Sequence, residues 1–305
     1  MTIWLALISP SLATEADYRG SDAEMIRLRE RLRIQDELDG REESRFERAI
    51  EKDYTVDVYG RLSNLEASIT AEVLLFFAPD ITDSISSILF VETQNFKQQV
   101  SSTSAVAFAH YSNVIAVKKP TCSTPVQSYD LRSYLIHEIA HIRMFNIHNY
   151  EVLFPAAGRS GTDDKRTLKE KWTCLEGRSG AYVGDGWSSL ARRPDGFARS
   201  YGASDRMEGI ATLVEITQLA GFHSKLDEAA LRTLHGAYQG TTAHQTCLKN
   251  KLAKANAFRF LDDETAALVR DVWASSDPTN QVFLDRVQAL RDKLRSRNHD
   301  ALALR

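Results

Sequence analysis

The chain has 305 residues, 43% of them apolar and 26% charged, with a formal net charge of −3. That length can bury a substantial core, and the composition is that of an ordinary globular protein, which excludes a disordered chain, a collagen-like fibre and a multi-span membrane protein. A pI near 6.3 offers no basic field for nucleic acid, and three cysteines are too few for a disulfide scaffold.

Residues Ile3 to Leu12 form an apolar run that is too short to span a membrane, which takes about 20 such residues. It fits the hydrophobic region of an export signal cut after Ala13, although no Lys or Arg precedes it. The expectation is therefore a signal peptide over residues 1–13, a secreted or periplasmic protein, and no stable membrane insertion. In such a compartment Cys122, Cys174 and Cys247 give one disulfide and one free thiol, with three pairings open.

The densely charged stretch of about 21–52 carries apolar residues at Met25, Leu28, Leu32, Leu38, Phe46 and Ile50, the spacing of one or two amphipathic helices. A solvated helical face is the preferred reading; the sharper one is a prosegment covering an active site. Asp53–Tyr59 alternates like a strand, and Ser63–Phe77 reads as a helix. Strands are predicted at Ser87–Val91, Ala105–His110 and Val114–Lys118, with Tyr111-Ser112-Asn113 as the turn between the last two. A helix then runs from Tyr129 to about Phe145.

Eight of the fifteen glycines fall between Gly158 and Gly202, a segment read as long loops around a short helix near Leu168–Leu175. Loops of that length in a compact domain usually serve a function. Beyond Ser204 the pattern is helical: Met207–Leu219, Glu228–Tyr238, Ala243–Phe258, Asp263–Ala274 and Gln281–Leu302. There is no internal repeat and no marked interdomain linker.

The segment that carries chemistry is Tyr134–Met144, YLIHEIAHIRM. On a helix, His137 and His141 stand at i and i+4 on one face, so both imidazoles can reach one cation. Glu138 sits beside them, placed to act on water without being a ligand. Zinc suits such a site because it accepts nitrogen donors and keeps an open position in which the pKa of water falls to about 7. With eight histidines in the chain, a chance H-E-x-x-H is expected in roughly one or two sequences per hundred, so the pattern carries weight.

A third ligand is still needed. A histidine ten residues after the first would fall at position 147, which is Ile147. His148 misses that register, so a carboxylate on a second helix is expected instead. Glu208, followed by Gly209-Ile210-Ala211 at the start of a helical run, is the preferred choice; Asp205 and Glu215 are rivals that could equally orient an imidazole.

These two segments, about Ser133–Met144 and Tyr201–Glu215, resemble the gluzincin class of zinc metallopeptidases. Glutamate followed by Gly-x-Ala is similar to the third-ligand helix of zinc aminopeptidases, and Tyr201, seven residues before Glu208, is similar to a tyrosine of lethal-factor-type toxin peptidases. The resemblance implies His137, His141 and Glu208 as ligands, Glu138 as general base and Tyr201 as oxyanion donor. Two features depart from it: no second acidic residue follows the ligand as in the toxin-like group, and the aminopeptidase G-x-M-E-N strand is missing. The subfamily therefore stays open.

The expected fold is α+β: a zincin-like domain over residues 14–305, with a small mixed sheet, an active-site helix and a mainly helical C-terminal half. The expected function is hydrolysis of peptide bonds in a peptide or protein substrate by a zinc-activated water, with one Zn2+ per chain. Its rivals are hydrolysis of another amide, a catalytically silent binding protein on a zincin scaffold, and a helical interaction protein with an accidental H-E-x-x-H. His110, His148, His223, His235, His244 and His299 show no ligand spacing. Val114–Lys118 is expected to offer an edge for a peptide strand, and Gly186–Arg199 is read as a surface loop in preference to a cleft lining.

Overall fold

The computed structural model describes residues 45–303 apart from 61, 76, 78, 92–95, 97–105, 111–112, 119–124, 147–205, 220–223 and 258. Within these the protein is α+β, with a four-stranded mixed sheet and otherwise helical structure. The sequence from residue 206 onward is entirely helix and short connection among the described residues. Packing divides the chain into two compact units, residues 1–148 with 294–305, and residues 149–293.

In the first unit, helix α1 (Arg45–Tyr54) leads through Thr55, whose φ of 54° ends the helical path, into strand β1 (Asp57–Tyr59). The strand expected over Asp53–Tyr59 is thus only its second half; Asp53 and Tyr54 complete the helix. Helix α2 (Asn64–Leu75) starts on a reciprocal cap: the Glu66 N–H donates to Ser63 Oγ at 3.2 Å, and the Ser63 N–H donates to Glu66 Oε2 at 2.7 Å. A single turn, α3 (Pro79–Thr82), precedes strand β2 (Ser87–Val91). Strands β3 (Ala107–His110) and β4 (Val114–Lys118) follow, joined at Asn113, which takes the left-handed turn conformation at φ 63°.

The sheet order is β1-β2-β4-β3. β1 and β4 run parallel to β2, and β3 pairs antiparallel to β4. The continuous apolar runs SILFV and VIAV explain why β2 and β4 occupy the interior: both are buried along their lengths, as strands covered on two faces are. This corrects the edge expected of Val114–Lys118. β4 has a neighbour on each side, so its backbone groups are committed, and the edges of the described sheet are β1 and β3.

Helix α4 (Pro125–Asn146) packs on β3, β4 and α2. From Leu135 to Ile142 every residue is buried, polar and apolar alike. Its orientation is fixed at several points. Arg132 donates through Nη2 to Glu72 Oε2 of α2 at 2.7 Å, Arg143 pairs with Asp80 of α3 at 3.4 Å, and Asn146 Nδ2 donates to Asn113 Oδ1 at 2.7 Å. Asn113 is itself held by its carbonyl, which accepts from the Ser86 N–H at 2.8 Å. The last turn of α4 is therefore tied to the strand connection beneath it.

The second unit is built from helices α5 (Arg206–Leu219), α6 (Ser224–Tyr238), α7 (Thr242–Ala257), α8 (Asp263–Ala274) and the first part of the long α9 (Gln281–Ala303), whose residues from 294 on belong to the first unit. α5 is buried all round, with Ile210, Ala211, Leu213, Val214 and Ile216 each at most 1% exposed. A helix with no exposed face belongs at the centre of its layer, and α6 and α7 pack against it. α6 is pinned to α8 by Trp273, whose Nε1 donates to the Leu234 carbonyl at 3.0 Å and whose ring stacks on Tyr238.

Candidate metal centre

The middle of α4 presents His137, Glu138 and His141, each 6% exposed. The i, i+4 spacing lays the two imidazoles on one face, with ring centroids 4.9 Å apart and the planes at 68°. Their Nε2 atoms face each other at 3.1 Å. Phe145, one turn further on, stacks on the His141 ring at 6.4 Å and closes that side with an apolar surface.

Glu208 lies in the first turn of α5 and is 2% exposed. A carboxylate there is favoured by the unpaired N–H groups of the helix start. One ligand atom each from His137, His141 and Glu208 falls within 4.8 Å of the others, and among the described residues this is the group that could hold a metal ion. The donor set fits a divalent cation of the zinc type, two imidazole nitrogens and one carboxylate oxygen. The geometry fits as well. Nitrogens at about 2.0–2.1 Å from a tetrahedral zinc stand about 3.3 Å apart, close to the 3.1 Å separation of the two Nε2 atoms. Burying carboxylates is costly unless a cation compensates them, and Glu138 and Glu208 are both buried.

Of the other residues singled out from the sequence, Glu215 is buried on α5 two turns after Glu208. His235 and His244 are engaged structurally: His235 Nε2 lies 2.9 Å from the Ser275 carbonyl, and His244 Nδ1 accepts from the Thr241 N–H at 3.2 Å. His110 lies on β3. Tyr201, Asp205, His148, His223, Cys122, Cys174, the Gly186–Arg199 segment, the helix near Leu168 and the signal-like residues 1–13 lie outside the described residues. Cys247, on α7, is disulfide-bonded.

Lys251 and Thr212 are among the buried polar residues that the sequence did not single out. Lys251 on α7 is 2% exposed, and burial pushes its ammonium down to about 7. The signal was present: His244, Leu248, Lys251, Leu252 and Ala255 make one helical stripe, all of it buried. Thr212 on α5, 1% exposed, keeps a hydroxyl without a hydrogen-bond partner. No model of a known protein family matches the chain, and neither the curated proteins nor the solved structures yield a match.

Proposed function

We propose that the chain is a zinc-dependent hydrolase of peptide bonds with a zincin-like, gluzincin-type site, in which His137, His141 and Glu208 hold one zinc ion. The observation that carries this reading is the convergence of those three buried donors within 4.8 Å. Spacing and motif point to the same three residues, and Glu208 follows His141 by 67 positions in the chain. When bound, zinc supplies a Lewis acid that polarises a carbonyl and eases deprotonation of water.

The chain's own residues do the rest. His137 and His141 present Nε2 to the same point, which leaves each Nδ1 to fix ring orientation through its own hydrogen bond. Glu138, held on the same buried helix, takes a proton from the attacking water and passes it to the leaving nitrogen as the C–N bond breaks. Tyr201 is assigned the oxyanion donor by resemblance, an interaction of a few kcal/mol at comparable sites, on the order of 10²–10³ in rate. A disulfide at Cys247 agrees with export to an oxidising compartment. No helix among the described residues is long and apolar enough to cross a membrane.

The test is elemental analysis of the purified protein and of its His137→Ala and Glu208→Ala variants, followed by peptide-library assays. One zinc per chain, lost in both variants, together with peptide cleavage by the wild type, supports the proposal. A folded wild type that takes up no zinc even from excess metal refutes it.

A further inference from the structure

Thr212 stands one turn after Glu208 on α5. A buried hydroxyl with no partner forfeits the hydrogen bonds it made to water, so its persistence calls for a reason. Threonines inside helices commonly return their proton to the carbonyl four residues back. Thr70, Thr233 and Thr246 all do so in this protein, donating to the carbonyls of Glu66, Ala229 and Thr242 at 2.9, 2.8 and 2.9 Å. Thr212 does not take that local solution; its Oγ1 is left without a partner.

What lies within reach of that hydroxyl follows from helix geometry. Cα–Cβ bonds tilt toward the helix N-terminus, so the side chain of residue 212 leans over the turn that carries residue 208 on the same face. The side chain there is a carboxylate, with two oxygens and about four acceptor sites. A carboxylate that holds a cation through one oxygen can still accept hydrogen bonds at the other, and charge-assisted bonds to an anionic acceptor are the strong ones. We infer that Thr212 is a positioning residue for Glu208, its hydroxyl donating to the carboxylate oxygen that the cation does not take. The inference rests on the ligand set proposed above. It explains why an orphaned hydroxyl occupies the turn after Glu208: its partner is completed when the carboxylate turns to hold its ion.

The same structure supplies a control. Thr217 on α5 also keeps a buried hydroxyl without a partner, but the residues three and four positions before it are Val214 and Leu213, so no carboxylate stands in the turn it leans over.

The experiment measures zinc affinity of the full-length protein by competition with a chromophoric chelator, for the wild type, Thr212→Val, Thr212→Ser and Thr217→Val. Thermal unfolding of each metal-free form is recorded alongside. Val keeps the shape of the side chain and removes the hydroxyl, so Thr212→Val is expected to bind zinc about tenfold more weakly, at the low end of what losing a partner of a metal ligand costs. Its metal-free form should melt no lower than the wild type, since an unsatisfied buried group has been removed. Ser should restore the affinity, and Thr217→Val should leave it unchanged. Wild-type affinity in Thr212→Val overturns the inference, and so does an equal loss in the Ser or Thr217 variants, which would mark a packing effect. A wild type that binds no zinc overturns the ligand set itself and this inference with it, whereas tight wild-type binding with an indifferent Thr212→Val leaves the ligand set standing and removes only the role of Thr212.

Discussion

Replacing Lys251 by Met tests the energetics of the helical unit. The lysine is buried on α7, and desolvation lowers its pKa from the ordinary 10.5 to about 7. In the unfolded chain the amine keeps its ordinary value, so between about pH 7 and 10.5 the unfolded state binds more protons than the folded one. Stability therefore rises with pH across that window. Below pH 7 both states carry the charge, so this group no longer makes stability change with pH and its net unfavourable contribution to folding is at its largest. At 1.36 kcal/mol per pH unit, the interval from 10.5 to 7 corresponds to roughly 5 kcal/mol. Met retains most of the apolar stem and has nothing to titrate. Urea unfolding of the wild type and Lys251→Met at about pH 6 and pH 10 should show the variant more stable by several kcal/mol at the acid end, with the advantage shrinking steadily as pH rises. Groups common to both proteins cancel in the difference. A difference that stays constant from pH 6 to 10 would refute the reasoning, because it would mean that the buried amine keeps its proton throughout.

Glu138→Gln keeps shape and burial but cannot accept a proton; it should retain its zinc by elemental analysis and lose about 10²–10⁴ of peptide-cleaving rate. Gly60→Ala should unfold at markedly lower denaturant, by about 2 kcal/mol or more, since φ is +105° there and an added Cβ would meet the Phe90 carbonyl oxygen at 2.2 Å. Asp262 caps α8 by accepting from the Thr265 N–H at 2.7 Å. Asp262→Ala should therefore cost about 1 kcal/mol, read as a shift in the urea midpoint at unchanged slope.

How far the sequence speaks for itself depends on whether a residue's role is local. Ser87–Val91 and Val114–Lys118 are legible to the residue because short β-branched runs are bounded by Ser and Asn. Asp263–Ala274 is legible because Asp262 announces its cap. α4 begins at Pro125, four residues before the expected Tyr129, although proline in a first turn is a start signal in plain view. The boundary near Tyr54 is harder: an alternating pattern suits a strand, while the left-handed Thr55 that stops the helix is set by the packing of α1 and α2 on either side. The neighbours of β4 are likewise a tertiary matter, since VIAV reads the same at an edge or in the middle. At the candidate site, His137 and His141 follow from helical spacing and Glu208 from its small-residue context. Lys251 was legible in the period of α7 and went unread because a lysine is expected to face water. Thr212 was not legible at all, because an unmatched hydroxyl is a property of a rotamer and its surroundings.

A cation gripped by both His141 and Glu208 would also be a clasp on the polypeptide. It would close the 67 positions between them into a ring. Cross-linking a chain over that span removes disorder from its unfolded ensemble worth on the order of 4 kcal/mol in the loop-closure picture, a stabilisation that owes nothing to chemistry at a substrate. A chelator would then strike twice. It would silence any reaction, and it would reopen the ring, so that the stripped protein melts earlier and is cut faster by added proteases even where no substrate is ever supplied.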